Sequence, residues 1–257
     1  MDTELIYKYE EELANSDPIT VHGVTLYPVL WKDRKLYASF VQCLTYNPIY
    51  YQDAALSSLP RLYFITSIVT DASPQKDPLR SILITQLQGI LQLVLREQRF
   101  ELTEMPSKQI GLKVFTDAGE VVVINAKKFD EIRRVILLQN DTYCEERYIH
   151  PDILRWIETQ KENERKHTSE KYIETSEDKK EVLMMIMHST DEHLLDNMSI
   201  RRVNRLHEKE LNRQVFEAQL NGSMSGFVQF KESPVSWAVT RPKQSDFDKY
   251  LQELKPR

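Results

Sequence analysis

The sequence predicts a mainly helical α+β fold, with small antiparallel β-hairpin elements in the N-terminal half and a helical C-terminal half. Three observations carry that reading. Apolar residues recur at helical spacing over most of the chain, as in FDEIRRVILLQ (129–139). The spacing shortens to two between residues 100 and 125, within KQIGLKVFTDAGEVVVINA. Residues 158–181 then hold six Lys/Arg and eight Asp/Glu with no Gly or Pro, the composition of a solvated helix or helical linker. The expected organisation is an α/β domain over 1–156, a charged helical linker over 157–181 and a helical domain over 182–257.

Each element has a local reason. A first helix is expected over 3–14, stopped by NSDP (15–18). ITVHGVTLYPV (19–29) alternates around His22-Gly23 and reads as a hairpin or two short strands. A helix over 31–46 follows, with Leu36, Phe40 and Leu44 on one face, and Asn47-Pro48 ends it. Asp53 is a candidate N-cap for a helix reaching residue 70, which Pro60 kinks or starts. After the DASPQKDP loop (71–78), residues 79–98 are apolar most of the way round, which predicts a central core helix. Strands are expected at 100–103, 110–115 and 120–125, with DAG (117–119) turning the last pair. A helix over 129–139 follows, and Pro151-Asp152 after His150 marks another helix start. Beyond the linker come a helix over 177–188, a helix over 199–218, a polar loop NGSMSG (221–226), a strand at 227–230 and a last helix over 245–254.

Composition excludes several function classes. The 257 residues carry 34 Lys+Arg against 39 Asp+Glu, a net charge of −5, which argues against general nucleic-acid coating. Six glycines (23, 89, 111, 119, 222 and 226) assemble neither GxGxxG nor a P-loop. Cys43 and Cys144 stand far apart and form no CxxC pair, as expected of small hydrophobes in a reducing compartment. The acidic start MDTELIYKYEEELA does not resemble a signal peptide, and no apolar run approaches the length of a membrane span. His188 and His193 fall about 140° apart on a helix, so they do not converge on a metal. His207 lacks an HExxH partner, because Leu211 occupies that position. There is no GxSxG, and the Met184, Met185, Met187 cluster reads as adaptable core. Trp31, Trp156 and Trp237 read as separate packing anchors. No catalytic, cofactor or metal residue is predicted, and the protein reads as non-enzymatic.

One stretch stands out, MSIRRVNRLHEKELNR (198–213). At 100° per residue, Ile200, Val203, His207, Leu211, Val215 and Ala218 line one stripe. Arg201, Arg202, Arg205, Lys209 and Arg213 cover the arc from about 100° to 220°, almost opposite it. The helix is therefore expected to dock by its apolar seam and to present a cationic back as a partner-binding face. A DNA-reading helix would also carry Arg and Asn near its N-terminus. Asp191, Glu192 and Asp196 just upstream would repel phosphates.

Several segments in order resemble a family of tail or baseplate assembly proteins, tail-assembly-chaperone-like ones among them, from tailed phages and prophages of Gram-positive bacteria. The segments are GVTLYPVLWKDRKLYASFVQCLTYNP (23–48), SSLPRLYFI (57–65), KKFDEIRRVILLQNDTY (127–143), RYIHPDILRWI (147–157), MSIRRVNRLHEKELNRQVFEAQLNGSM (198–224) and FVQFKESPVSW (227–237). Together they span about residues 20 to 240. The chain departs at Ser236-Trp237, where the pattern has His-Trp, and Met224-Ser-Gly-Phe227 is two residues longer. The resemblance implies a structural or assembly role, with other phage tail proteins as partners and a homo-oligomer among its forms. It implies residence in the host cytoplasm during assembly or in the virion tail, with no membrane and no catalytic residues to carry over. The alternative is a nucleic-acid-binding regulator using the basic face of the 199–218 helix.

Overall fold

Two residues suffice to turn the first hairpin. β1 (Ile19–Val21) and β2 (Val24–Leu26) pair antiparallel with Val21 opposite Val24, which leaves only His22 and Gly23 between them. Both have positive φ, 51° and 80°, as a two-residue type I′ turn requires. Alternation then buries Ile19, Val21, Val24 and Leu26 together. His22 Nε2 lies 2.7 Å from Glu131 Oε2 and ties the turn down.

The computed structural model describes residues 3–46, 59–70, 78–105, 110–116, 119–144, 151–167, 175–188, 191–224 and Ser236. The chain forms two compact units, Met1–Glu146 and Arg147–Arg257. The Asp53 cap, the Asp117-Ala118 pair, the 227–230 strand and the 245–254 helix lie outside the described residues, as does most of the 71–78 loop.

In the first unit the expected 3–14 helix is two helices, α1 (Thr3–Lys8) and α2 (Glu10–Asn15), parted where Tyr9 leaves helical geometry with its ring buried. The expected 31–46 helix is also divided, into a 3-10 turn (Trp31–Asp33), α3 (Arg34–Phe40) and α4 (Gln42–Thr45). Its buried face carries Trp31, Tyr37, Cys43 and Leu44, while Leu36 is exposed. Tyr37 sets that phase by pairing its hydroxyl with Thr142 Oγ1 at 2.7 Å. Pro60 precedes α5 (Arg61–Thr70) and so starts this helix.

The apolar helix is α6 (Pro78–Leu95). It stops short of residue 98 because Arg96 takes φ 54° and lays its guanidinium over the Tyr27 ring, 4.4 Å from the centroid. Leu83, Leu87, Ile90, Leu91, Val94 and Leu95 are buried along it, against α3, α4, α5 and β2, although Ile82 is half exposed. Gly89 lets the Phe40 ring rest on the helix backbone, since a Cβ there would sit 2.7 Å from three ring carbons.

β3 (Arg99–Glu104), β4 (Ile110–Phe115) and β5 (Val121–Ile124) form one antiparallel sheet in that order. Gly119, at φ 77°, supplies the left-handed residue of the β4–β5 turn. α7 (Ala126–Gln139) begins three residues before the expected position, because the Asn125 side chain accepts from Lys128 N at 2.9 Å and caps it. It packs on β1, β4, β5 and α5.

The end of α7 is closed by a Schellman arrangement. Thr142 N donates to Leu137 O and Asp141 N to Leu138 O, with Asp141 at φ 54°. Asn140, just before, accepts from Val29 N at 2.9 Å and donates to Ile136 O at 2.8 Å, fully buried. Gln139 Nε2 donates to Leu26 O, and Gln98 Nε2 to Thr25 O. The C-terminal carbonyls of α4 are met in the same way. Arg133 donates to Leu44 O, Cys144 to Thr45 O and Arg61 to Tyr46 O. Burial, and then the neighbouring Arg133, lower the pKa of Arg61. Burial pushes the Cys43 thiol up to about 12. Cys43 fits the expected small hydrophobe, whereas Cys144 is also a hydrogen-bonding residue.

The second unit holds α8 (Pro151–His167), α9 (Ser176–Ile186), α10 (Glu192–Asp196) and α11 (Ile200–Met224). α8 runs unbroken through residue 156, where the sequence places the end of the first domain. Thr175 and Asp178 form a capping box at the start of α9. Met185 is exposed, so the methionine cluster is not all core. No described helix is long and apolar enough to cross a membrane.

Two substitutions test the first unit. Asn140→Ala strands the Val29 amide, and chemical denaturation should show a loss of about 2 kcal/mol. Gly89→Ala raises helix propensity by about 1 kcal/mol but drives a methyl into the Phe40 ring. Its thermal midpoint should therefore fall; a rise would show that the ring moves aside at no cost.

Candidate functional site

The helix the sequence singles out is α11, and it is longer than expected. Ser199 starts it, its Oγ accepting from Arg202 N at 3.2 Å. It continues to Met224 and takes in NGSM, expected to be loop. Gly222 stands near the end of a helix that is already mostly exposed.

The first half of the apolar stripe lies where expected, with Ile200, Val203 and His207 buried. The second half does not. Leu211 is 44% exposed and Val215 56%, and Ala218, Leu220 and Met224 are exposed as well. The seam is thus packed over its first two turns and bare over its later ones. α9 packs on α11. The 11 residues of α9 cannot match the length of 25 in α11, since both rise about 1.5 Å per residue.

The cationic back is also rearranged. Arg201, expected on the exposed face, is only 6% exposed, and Ser199 beside it is buried too. Arg202 is exposed, while Arg205 and Lys209 are half-buried. Arg213 is tied up by acids of its own helix. It grips the Glu210 carboxylate with two nitrogens, at 2.6 and 2.9 Å, and Glu217 at 2.7 Å. Glu210 is buried, and its hydrogen bond from Arg213 lowers its pKa. Of the five basic residues, Arg202 is thus exposed, Arg205 and Lys209 are half-buried, Arg201 is inside and Arg213 is matched by two carboxylates.

Upstream, a five-residue helix, α10, precedes α11 through the short link 197–199, a feature of helix-turn-helix units that sequence reasoning missed. Asp191 caps it by accepting from His193 N at 3.0 Å. Glu192 and Asp196 flank it and turn to Lys180 of α9, at 2.7 and 3.5 Å. The hydrogen bond to Glu192 raises the pKa of Lys180. Lys180 is the strut that holds α10 to α9, and its only sequence signal was its place in the charged run.

His207 is buried, as a packed residue should be, and His188 and His193 are both exposed. Among the described residues, no group of three His, Cys, Asp or Glu could hold a metal ion. No protein-family model matches the chain, and no curated protein or solved structure does either.

The arrangement separates two adjacent arginines by their surroundings. Arg201→Ala should cost about 1–3 kcal/mol in urea titration through weakened packing and stranded partners. Arg202→Ala should stay within about 0.5 kcal/mol of the parent. Equal effects would mean that Arg201 is not the buried member of the pair.

Proposed function

We propose that this protein is a non-enzymatic assembly or structural component of a phage tail or baseplate, acting through protein–protein contacts. The observation that carries the reading is the bare half of the α11 seam, where Leu211 and Val215 lie exposed in line with buried Ile200, Val203 and His207. An apolar stripe that continues past its own partner suits an amphipathic helix laid into another protein's groove. The family-like segments at 23–48, 57–65, 127–143, 147–157, 198–224 and 227–237 supply the tail context. On this reading its partners are other tail proteins, and it works in the host cytoplasm during assembly or in the virion tail.

One observation favours a second reading, a nucleic-acid-binding regulator. α10 and α11 are joined as in a helix-turn-helix, and Arg202, Arg205 and Lys209 share the outer arc. Against it, Arg201 is buried and the upstream helix carries Glu192 and Asp196.

The experiment is affinity capture of the tagged full chain from prophage-induced cells, beside Leu211→Glu/Val215→Glu and Arg202→Ala/Arg205→Ala/Lys209→Ala variants. The parent should recover tail components and the seam variant should lose them. Recovery of no tail component would overturn the tail reading. Salt-sensitive retention on duplex DNA at micromolar or better affinity, abolished by the triple Arg/Lys variant, would establish the regulator instead.

A further inference from the structure

The two edges of the three-stranded sheet differ in chemistry. β3 carries Arg99, Glu101 and Glu104, the charges that keep an edge strand from pairing with another chain. β5 reads Val121-Val-Val-Ile124, with no charge, proline or glycine. Val121 is 50% exposed and Val123 42%. On the outer face, Glu101 lies opposite Lys113 and Lys113 opposite Val123, while Arg99, Phe115 and Val121 form the next row. That face therefore grows more apolar toward the β5 edge.

The ladder shows which backbone groups the edge offers. Thr116 N donates to Glu120 O at 2.9 Å, which makes these two a bonded pair. Antiparallel pairs alternate between bonded and non-bonded. With Val114 opposite Val122 and Lys113 opposite Val123, Val122 and Ile124 bond to β4. The N–H and C=O groups of Val121 and Val123 therefore point away from β4. Among the described residues, nothing pairs with them.

We propose that β5 is a self-pairing edge, on which the β5 strand of a second copy of this chain docks antiparallel about a two-fold axis at Val122. In that register Val121 of one copy and Val123 of the other exchange both backbone bonds, twice over. The interface is isologous, the same edge on both copies. Charge favours this alignment. Glu120 falls opposite Ile124 of the other copy, whereas an in-register parallel pairing would set Glu120 beside its own equivalent, at a cost. The apolar row of Phe115, Val121 and Val123 then continues across the axis, and the charged β3 edges lie outermost. A pairing this short buries less than the roughly 1,200 Å² of a stable interface, so the dimer is weak and concentration-dependent.

The inference does not depend on the tail reading, because it is tested with purified protein alone. Sedimentation velocity over a concentration series of the full chain should show a monomer–dimer equilibrium in the micromolar range. Val123→Pro removes one outward N–H and no β4 bond. It should raise the dimer dissociation constant at least about tenfold, with an unchanged thermal midpoint. Val121→Lys/Val123→Lys should do the same. Oxidation of Val122→Cys should yield a covalent dimer, mapped by mass spectrometry to a 122–122 linkage. A monomer throughout the series, or a dimer that survives both edge variants, would overturn the proposal. So would a dimer abolished only by Leu211→Glu/Val215→Glu.

Discussion

Backbone groups stranded at the ends of short elements must find partners inside the first unit, and α7 supplies many of them. α4 is a four-residue helix, so almost none of its carbonyls can bond within it. The segment after β2 likewise leaves the hairpin ladder with its donors and acceptors buried. An unpaired buried amide or carbonyl costs about 1–3 kcal/mol, enough in aggregate to cancel the stability of a domain. Arg133 answers Leu44 O, Asn140 answers the Val29 amide and Gln139 answers Leu26 O. These three polar residues sit on or just past a helix that is otherwise buried by Phe129, Ile132, Val135 and Ile136. They make α7 the element against which the hairpin and α4 are positioned, and packing of α6 fills the space behind.

The same constraint explains which parts of the fold were legible in the sequence. The hairpin at His22-Gly23, the β4–β5 turn at Gly119 and the start of α8 at Pro151 follow from rules acting within a few residues, and each lies where expected. The phase of α3 did not. Leu36, Phe40 and Leu44 have helical spacing, but the buried residue is Tyr37, drawn in by a hydroxyl bond to Thr142, 105 residues away. Local periodicity carries no information about such a partner. The early start of α7 had a local signal, Asn125 with an amide three residues on, but the same residue also completes a period-two run.

On α11 the amphipathic pattern was legible and its burial was not. Angles on a helix specify which residues share a face, not how far along that face a partner reaches. The stripe from Ile200 to Ala218 is one face, yet the neighbouring α9 is too short to cover it. Arg201 sits at the border of the basic arc, where a modest rotation of the docked helix takes a guanidinium from solvent to interior. Arg213 lies at the opposite border, about 220°, and Glu210 and Glu217 stand three residues before and four after it, the spacings at which helical side chains meet.

That redistribution of charge bears on what α11 can recognise. Duplex DNA attracts a surface through many outward-facing cations, and every phosphate left without one weakens binding multiplicatively. With Arg201 inside and Arg213 met by two carboxylates, three basic side chains share the arc, beside an upstream helix with two acids. The apolar seam changed in the opposite direction. It has more exposed surface than the sequence implied, in residues with no role in binding phosphate. Apolar area gains most from being covered by other apolar area. A helix that has turned part of its cationic back inward and left half its seam outside is therefore better suited to a protein groove than to a DNA groove.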